Sequence, residues 1–270
     1  MQASNRAIAA FLAAGIALAA TAGPQQAQPR SGLTTAQKGA ILLAAYPDAL
    51  AAIEANVVVF RDGTRLPFDD GRGDKAFQAL LDDPDIEDML VITYPRGTPV
   101  DPPGENEDPG RMRNTAFFRA MYGDCSKGEA APHLVEVVWL PRRSGVRLRV
   151  TRINGVAERL AAVSRELDDL PDSFTKFLAP PAGTYNCRAI AGTDRVSAHG
   201  FGIAIDIALA HAHYWRWAAP EAAGVAPYRN AIPPEIVAIF EKHGFIWGGK
   251  WHHYDTMHFE YRPEILAAGR

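Results

Sequence analysis

Few folds can accommodate residues 202–208, which read Gly-Ile-Ala-Ile-Asp-Ile-Ala. As a strand, period two sends Ile203, Ile205 and Ile207 to one face. Gly202, Ala204, Asp206 and Ala208 take the other. The isoleucine face is a core face. The opposite face is stripped of bulk around a single carboxylate, a group that a merely packing strand rarely buries. Such a face leaves room for a cation beside Asp206. His199 precedes the strand in a glycine-containing loop that can fold back over it.

A second segment, near the C-terminus, carries matching chemistry: Trp247-Gly248-Gly249-Lys250-Trp251-His252-His253-Tyr254-Asp255-Thr256-Met257-His258-Phe259-Glu260-Tyr261. His258 and Glu260 share one strand face, and Phe259 and Tyr261 share the other. Asp255 lies three residues before His258, in a turn. Two imidazoles and two carboxylates thus come from two separated segments. Three of these groups can hold a metal ion with one position open for water, and the fourth can move a proton. Glu260 is placed to orient a ligand from behind. His133, His211, His213, His243 and His253 read as ordinary surface or core histidines. His252 stands between core and cleft, as do Trp247, Trp251 and Tyr254.

Composition narrows the setting. Arg6 is the only charge before the apolar run of residues 7–20, which is too short to span a bilayer. Ala20-Thr21-Ala22 fits a small-x-small cleavage site, so residues 1–22 read as a signal peptide. The residue directly after the cut is Gly23 and not a cysteine, and no membrane anchor is expected after cleavage. The protein is therefore expected to be exported, to the periplasm or the medium. Cys125 and Cys187 are the only cysteines, and in an exported chain they most simply form one disulfide. Net charge is −3 with no basic block, which argues against nucleic acid as a partner.

Local patterns indicate an α+β chain, an antiparallel sheet with flanking helices. Residues 34–54 show a helical period broken at Pro47. Residues 57–60 read as a strand, with a tight turn at Asp62-Gly63. Residues 95–109 are dense in Pro, Gly and acid and read as a long loop. Residues 134–140 and 146–150 read as antiparallel partners. Asn154 can cap a helix that carries Val156, Leu160, Val163, Leu167 and Leu170 on one face and stops at Pro171. Another helix is expected over 234–243. The expected organisation is an N-terminal extension over 23–130, of unassigned role, and a domain over 131–270 that carries the metal-binding residues.

These motifs resemble a known family, the zinc D-alanyl-D-alanine carboxypeptidase and L-alanyl-D-glutamate endopeptidase group. The group shares its fold with the signalling domain of Hedgehog proteins. The family pattern Ser-x-His-x-x-Gly-x-Ala-x-Asp is matched without a gap from Ser197 to Asp206. The second motif is matched by Asp255-Thr256-Met257-His258-Phe259, with Trp247-Gly248-Gly249 before it. The resemblance implies Zn2+ on His199, Asp206 and His258, with Asp255 as the catalytic base. It implies peptidoglycan stem peptides as substrates and a location at the cell wall. Tyr185-Asn186-Cys187-Arg188 also matches one branch, which implies that Arg188 steadies the substrate carbonyl. Arg195 competes for that role, and a salt bridge is the ordinary alternative for either. A zinc-holding module without catalysis, and a zinc hydrolase of another bond, stay open as rival readings. Residues 209–230 and the N-terminal region are expected to shape the end of the cleft.

Overall fold

The computed structural model of the chain describes residues 30–97, 101–190, 192–217 and 227–269. The expected signal peptide lies outside them. Helix α1 (Thr35–Ala45) starts where it does because Thr34 and Gln37 cap each other's backbone amides. The helical pattern expected through residue 54 ends early. Pro47 follows the helix, and residues 50–54 form a strand instead. This β1 (Leu50–Glu54) joins β2 (Val57–Phe60) and β3 (Arg65–Pro67) in an antiparallel sheet. Leu50 and Ile53 suit a helix face as well as a sheet. The two-residue turn Ala55-Asn56, with positive φ at both positions, selects the hairpin.

Helices α2 (Phe77–Asp82) and α3 (Thr115–Tyr122) follow. Between them, residues 95–109 hold no helix or strand among the described positions. Strands β4 (Leu134–Trp139) and β5 (Val146–Thr151) pair from Leu134 opposite Thr151 to Trp139 opposite Val146. Their alternation is real: Val137, Trp139, Leu148 and Val150 are buried, while Val138 and Val146 are exposed. Helix α4 (Val156–Asp168) covers the buried face with Val156, Leu160, Val163 and Leu167. Asn154 does not cap this helix. It has positive φ itself and donates to the Tyr122 hydroxyl, and Gly155 takes the cap position. A short α5 (Thr175–Leu178) leads towards the site.

The sheet that carries the site comes from the C-terminal third. It contains β6 (Ala204–Asp206), β7 (Phe245–Trp247) and β8 (His258–Tyr261), with β8 in the middle and all pairs antiparallel. Helix α6 (Pro234–Lys242) leads into β7, and α7 (Pro263–Ala268) follows β8. One apolar cluster joins Leu42, Tyr46, Phe60, Phe117 and Phe118 to Trp139, Ile205, Phe240 and Phe259. At about 1.5–3 kcal/mol per large buried side chain, the five residues from before position 131 contribute as much as a domain's usual net stability. The two cysteines form the expected disulfide, closing a separation of 62 residues. Chain entropy gives such a cross-link about 4 kcal/mol. Among the described residues no helix is long and apolar enough to cross a membrane.

Candidate metal centre

Register sets the site. In the β6–β8 pair Asp206 lies opposite His258, and Ala204 opposite Glu260. Directly opposite residues of an antiparallel pair share a face, so Asp206 and His258 meet, and the small Ala204 leaves room for Glu260. His199 enters from a short 3-10 turn, Ala198–Phe201. The turn closes at Gly202, which has φ +69 and whose carbonyl accepts from the Thr151 amide at 3.0 Å. A Cβ on Gly202 would lie 2.8 Å from Leu134 and 3.0 Å from the Thr151 nitrogen, so only glycine lets the turn dock on β4–β5. The disulfide supports the same turn, with Cys125 Sγ 3.1 Å from the place a Cβ would occupy on Gly200.

Three atoms converge. His199 Nε2 is 3.2 Å from His258 Nδ1 and 3.2 Å from Asp206 Oδ1. His258 Nδ1 is 3.0 Å from the same Asp206 oxygen. Ligands about 2.0–2.1 Å from a tetrahedral ion stand about 3.3 Å apart, so the triangle fits a divalent cation. The far side of each ring agrees. His199 Nδ1 donates to the Thr184 carbonyl, and His258 Nε2 donates to Glu260 at 3.1 Å. These partners assign the tautomers and turn both lone pairs towards the Asp206 oxygen.

Electrostatics follow from burial and partners. Burial raises the Asp206 carboxyl, but the two imidazoles outweigh it and hold the group well below its ordinary range. Burial lowers His258, yet its bonds to Asp206 and Glu260 raise it to about 10. The acid groups around this ring thus favour positive charge at its place. Glu260 is fully buried. Burial raises it, and Arg113, His258 and Arg262 pull it back far below the usual carboxylate range. Arg113 Nη1 lies 3.1 Å from Glu260 and Arg262 Nη1 3.0 Å from it. Arg262 also pairs with Glu264, which accepts from the Tyr46 hydroxyl. The support behind His258 thus reaches α1.

Asp255 stands outside the ligand triangle but lines the same cleft, of about 370 Å³. Burial lifts its carboxyl to about 6, with the field of His258 opposing and the charge of Asp206 assisting. Its Oδ1 is buried without a hydrogen-bond donor among the described residues. A carboxylate so placed is suited to accept a proton from whatever occupies the cleft. Arg188 lines the cleft, whereas Arg195 turns away, bonding the Leu81 carbonyl at 3.3 Å and lying 3.7 Å from Asp82. Trp251 lines the cleft; Trp247 and Tyr254 are core residues. Of the two adjacent histidines, the one expected to be an ordinary residue, His253, is the one that faces the cleft. His253 lines the cleft with Nδ1 on Asp108 at 2.5 Å, and His252 does not. Tyr214, Trp215 and Trp217 add an aromatic wall.

Sequence reading gave no sign of Arg111 and Arg113, which enter the cleft from the segment before residue 131. Nothing local marks them; only long-range pairing brings them in. Two other acid groups, Asp69 with Asp70 and Asp85, and Asp85 with Glu87 and Asp88, are explained by an internal cation. The buried Lys75 ammonium sits 2.7 Å from Asp70, 3.1 Å from Asp85 and 2.5 Å from Asp88.

No curated protein and no solved structure matches the chain. Residues 191–261, the stretch that supplies His199, Asp206, Asp255 and His258, match the model of a peptidase family described as D-alanyl-D-alanine carboxypeptidase, and the chain is similar to that family over this part of its length.

Proposed function

We propose that the protein is an exported zinc peptidase that hydrolyses peptide bonds in peptidoglycan stem peptides, of the D-Ala-D-Ala carboxypeptidase or L-Ala-D-Glu endopeptidase type. The observation that carries this reading is the convergence of His199 Nε2, Asp206 Oδ1 and His258 Nδ1 beside Asp255, whose Oδ1 is buried and unbonded among the described residues. The family match over residues 191–261 supports it. We read the α+β arrangement as the Hedgehog/DD-peptidase type of fold on the same grounds.

His199, Asp206 and His258 would hold the zinc, which would supply Lewis acidity towards the scissile carbonyl and the attacking water. The chain's own groups do the rest. Asp255 accepts the proton of the attacking water and returns it to the leaving amine. Arg188, a cation on the cleft wall, donates to the carbonyl oxygen as negative charge develops there. Thr184 and Glu260 fix the two rings so that neither ligand must reorient during turnover. An inert zinc-holding module has no use for a buried carboxylate with an unbonded oxygen.

Glu260→Gln tests the support behind His258. The amide keeps the shape but loses the charge that holds the Nε2 proton. Zinc affinity, measured by competition with a chelating dye, is expected to fall about 10- to 100-fold. Unchanged affinity would remove Glu260 from that role. Mass analysis of products from defined stem peptides tests the reaction itself. Loss of one terminal D-alanine identifies a carboxypeptidase, an internal cut an endopeptidase, and intact peptide contradicts the proposal.

A further inference from the structure

Arg111 has no part in the chemistry above, yet the loop that carries it is fixed to the far end of the chain. The His252 amide donates to the Glu107 carbonyl at 2.8 Å. The His253 amide and Nδ1 both bond Asp108, at 2.9 and 2.5 Å. Trp251 Nε1 donates to the Pro109 carbonyl at 2.7 Å, and Arg262 Nη1 to the Gly110 carbonyl at 2.6 Å. Gly110 has φ +88, a backbone conformation that favours glycine. Ordering an irregular loop this firmly costs chain entropy. What the loop presents to the cleft is a guanidinium.

That guanidinium finds no hydrogen-bond acceptor for its Nη1 among the described residues. It lies over the Trp251 ring, 5.7 Å from its centre. No hydrogen bond reaches it among the described residues. The one carboxylate paired with it, through Asp108 Oδ2, is 3.7 Å away and already bound by His253. Its Nη1 is buried and unbonded, and the side chain is only 13% exposed. Arg113, by contrast, is bound to Glu260. A largely buried guanidinium whose one paired carboxylate lies beyond hydrogen-bond distance fits a second carboxylate, whose two oxygens match its fork. Asp255 and His258 line the same cleft, so the anion belongs to the molecule whose bond is cut.

We propose that Arg111 is a specificity-determining residue that reads a carboxylate of the peptide substrate close to the scissile bond. This rests on the peptidase reading above. A peptide can offer that carboxylate at its C-terminus or from an internal acidic residue, and the chemistry is shared.

The test uses the zinc-loaded full chain and three probes. They are a stem pentapeptide ending in D-Ala-D-Ala, its C-terminal amide, and the same peptide with its internal glutamate carboxyl amidated. Binding is measured by calorimetry and turnover by product release. The wild type is expected to bind the free acid about 10- to 100-fold more tightly than one of the two amides, and that amide identifies the source. Arg111→Gln is expected to raise KM for the acid by a similar factor with a smaller change in kcat, and to abolish the preference. Arg111→Lys is expected to restore part of it. Equal binding of all three peptides by the wild type overturns the proposal, as does an Arg111→Gln variant that keeps the preference. Selective binding without any cleavage would instead contradict the peptidase reading and leave the Arg111 site standing.

Discussion

Asp255→Asn is expected to leave zinc bound and to lower kcat by about 10³-fold, within the range by which a positioned general base accelerates proton transfer. The amide has nearly the shape of the carboxylate but cannot accept the proton of the attacking water. The three ligand atoms come from other residues, so metal content should not change. The pH profile carries the same signature. Asp255 acts as a base only when ionised, and its carboxyl is raised to about 6. The rate of the wild type is therefore expected to climb with pH through the acid limb near 6 and to level off above it. Folding linkage has the opposite sign. The folded pKa lies above the unfolded one, so the buried carboxyl costs nothing at low pH, and its cost grows as pH rises from about 4 to about 6. Removing the charge is thus expected to leave thermal stability at neutral pH no lower than that of the wild type. A dead variant that is also unfolded would point to a packing role. A variant with normal turnover would remove Asp255 as the base.

His258→Ala is expected to abolish metal retention and, with it, activity. Two ligand atoms remain, on His199 and Asp206, and losing a direct ligand costs more zinc affinity than the about 10- to 100-fold that losing an outer partner costs. The same change leaves Glu260 without its bond to the ring, although Arg113 and Arg262 still pair with it. The sheet should therefore survive, and circular dichroism is expected to match the wild type. Zinc at full occupancy after purification would take His258 out of the ligand set.

The convergence of His199, Asp206 and His258 was legible because two short patterns each carry their own geometry. The small-residue face around Asp206 and the alternation of His258, Phe259, Glu260 and Tyr261 both follow from period two. What the residues alone do not give is the register that sets Asp206 opposite His258 rather than one position along. Nor do they give Thr184, whose carbonyl fixes the His199 tautomer through nothing but backbone. The first strand was misread as helix because Leu50 and Ile53 satisfy either period, and the deciding feature is the turn after them. The place of His253 in the cleft has a similar cause. Which of two neighbours faces the cleft depends on Asp108, 145 residues away. Arg111 and Arg113 belong to the same class: the Pro- and Gly-rich segment before them reads as a linker, and only distant hydrogen bonds make it part of the site.

The central claim is that a cation on His199, Asp206 and His258 drives peptide hydrolysis. Digestion of defined stem peptides by the zinc-loaded chain, with and without a chelator, tests it most directly. Cleavage that stops on chelation and returns when zinc is restored is the expected result. Cleavage indifferent to the chelator, or intact peptides beside fully zinc-loaded protein, would contradict it.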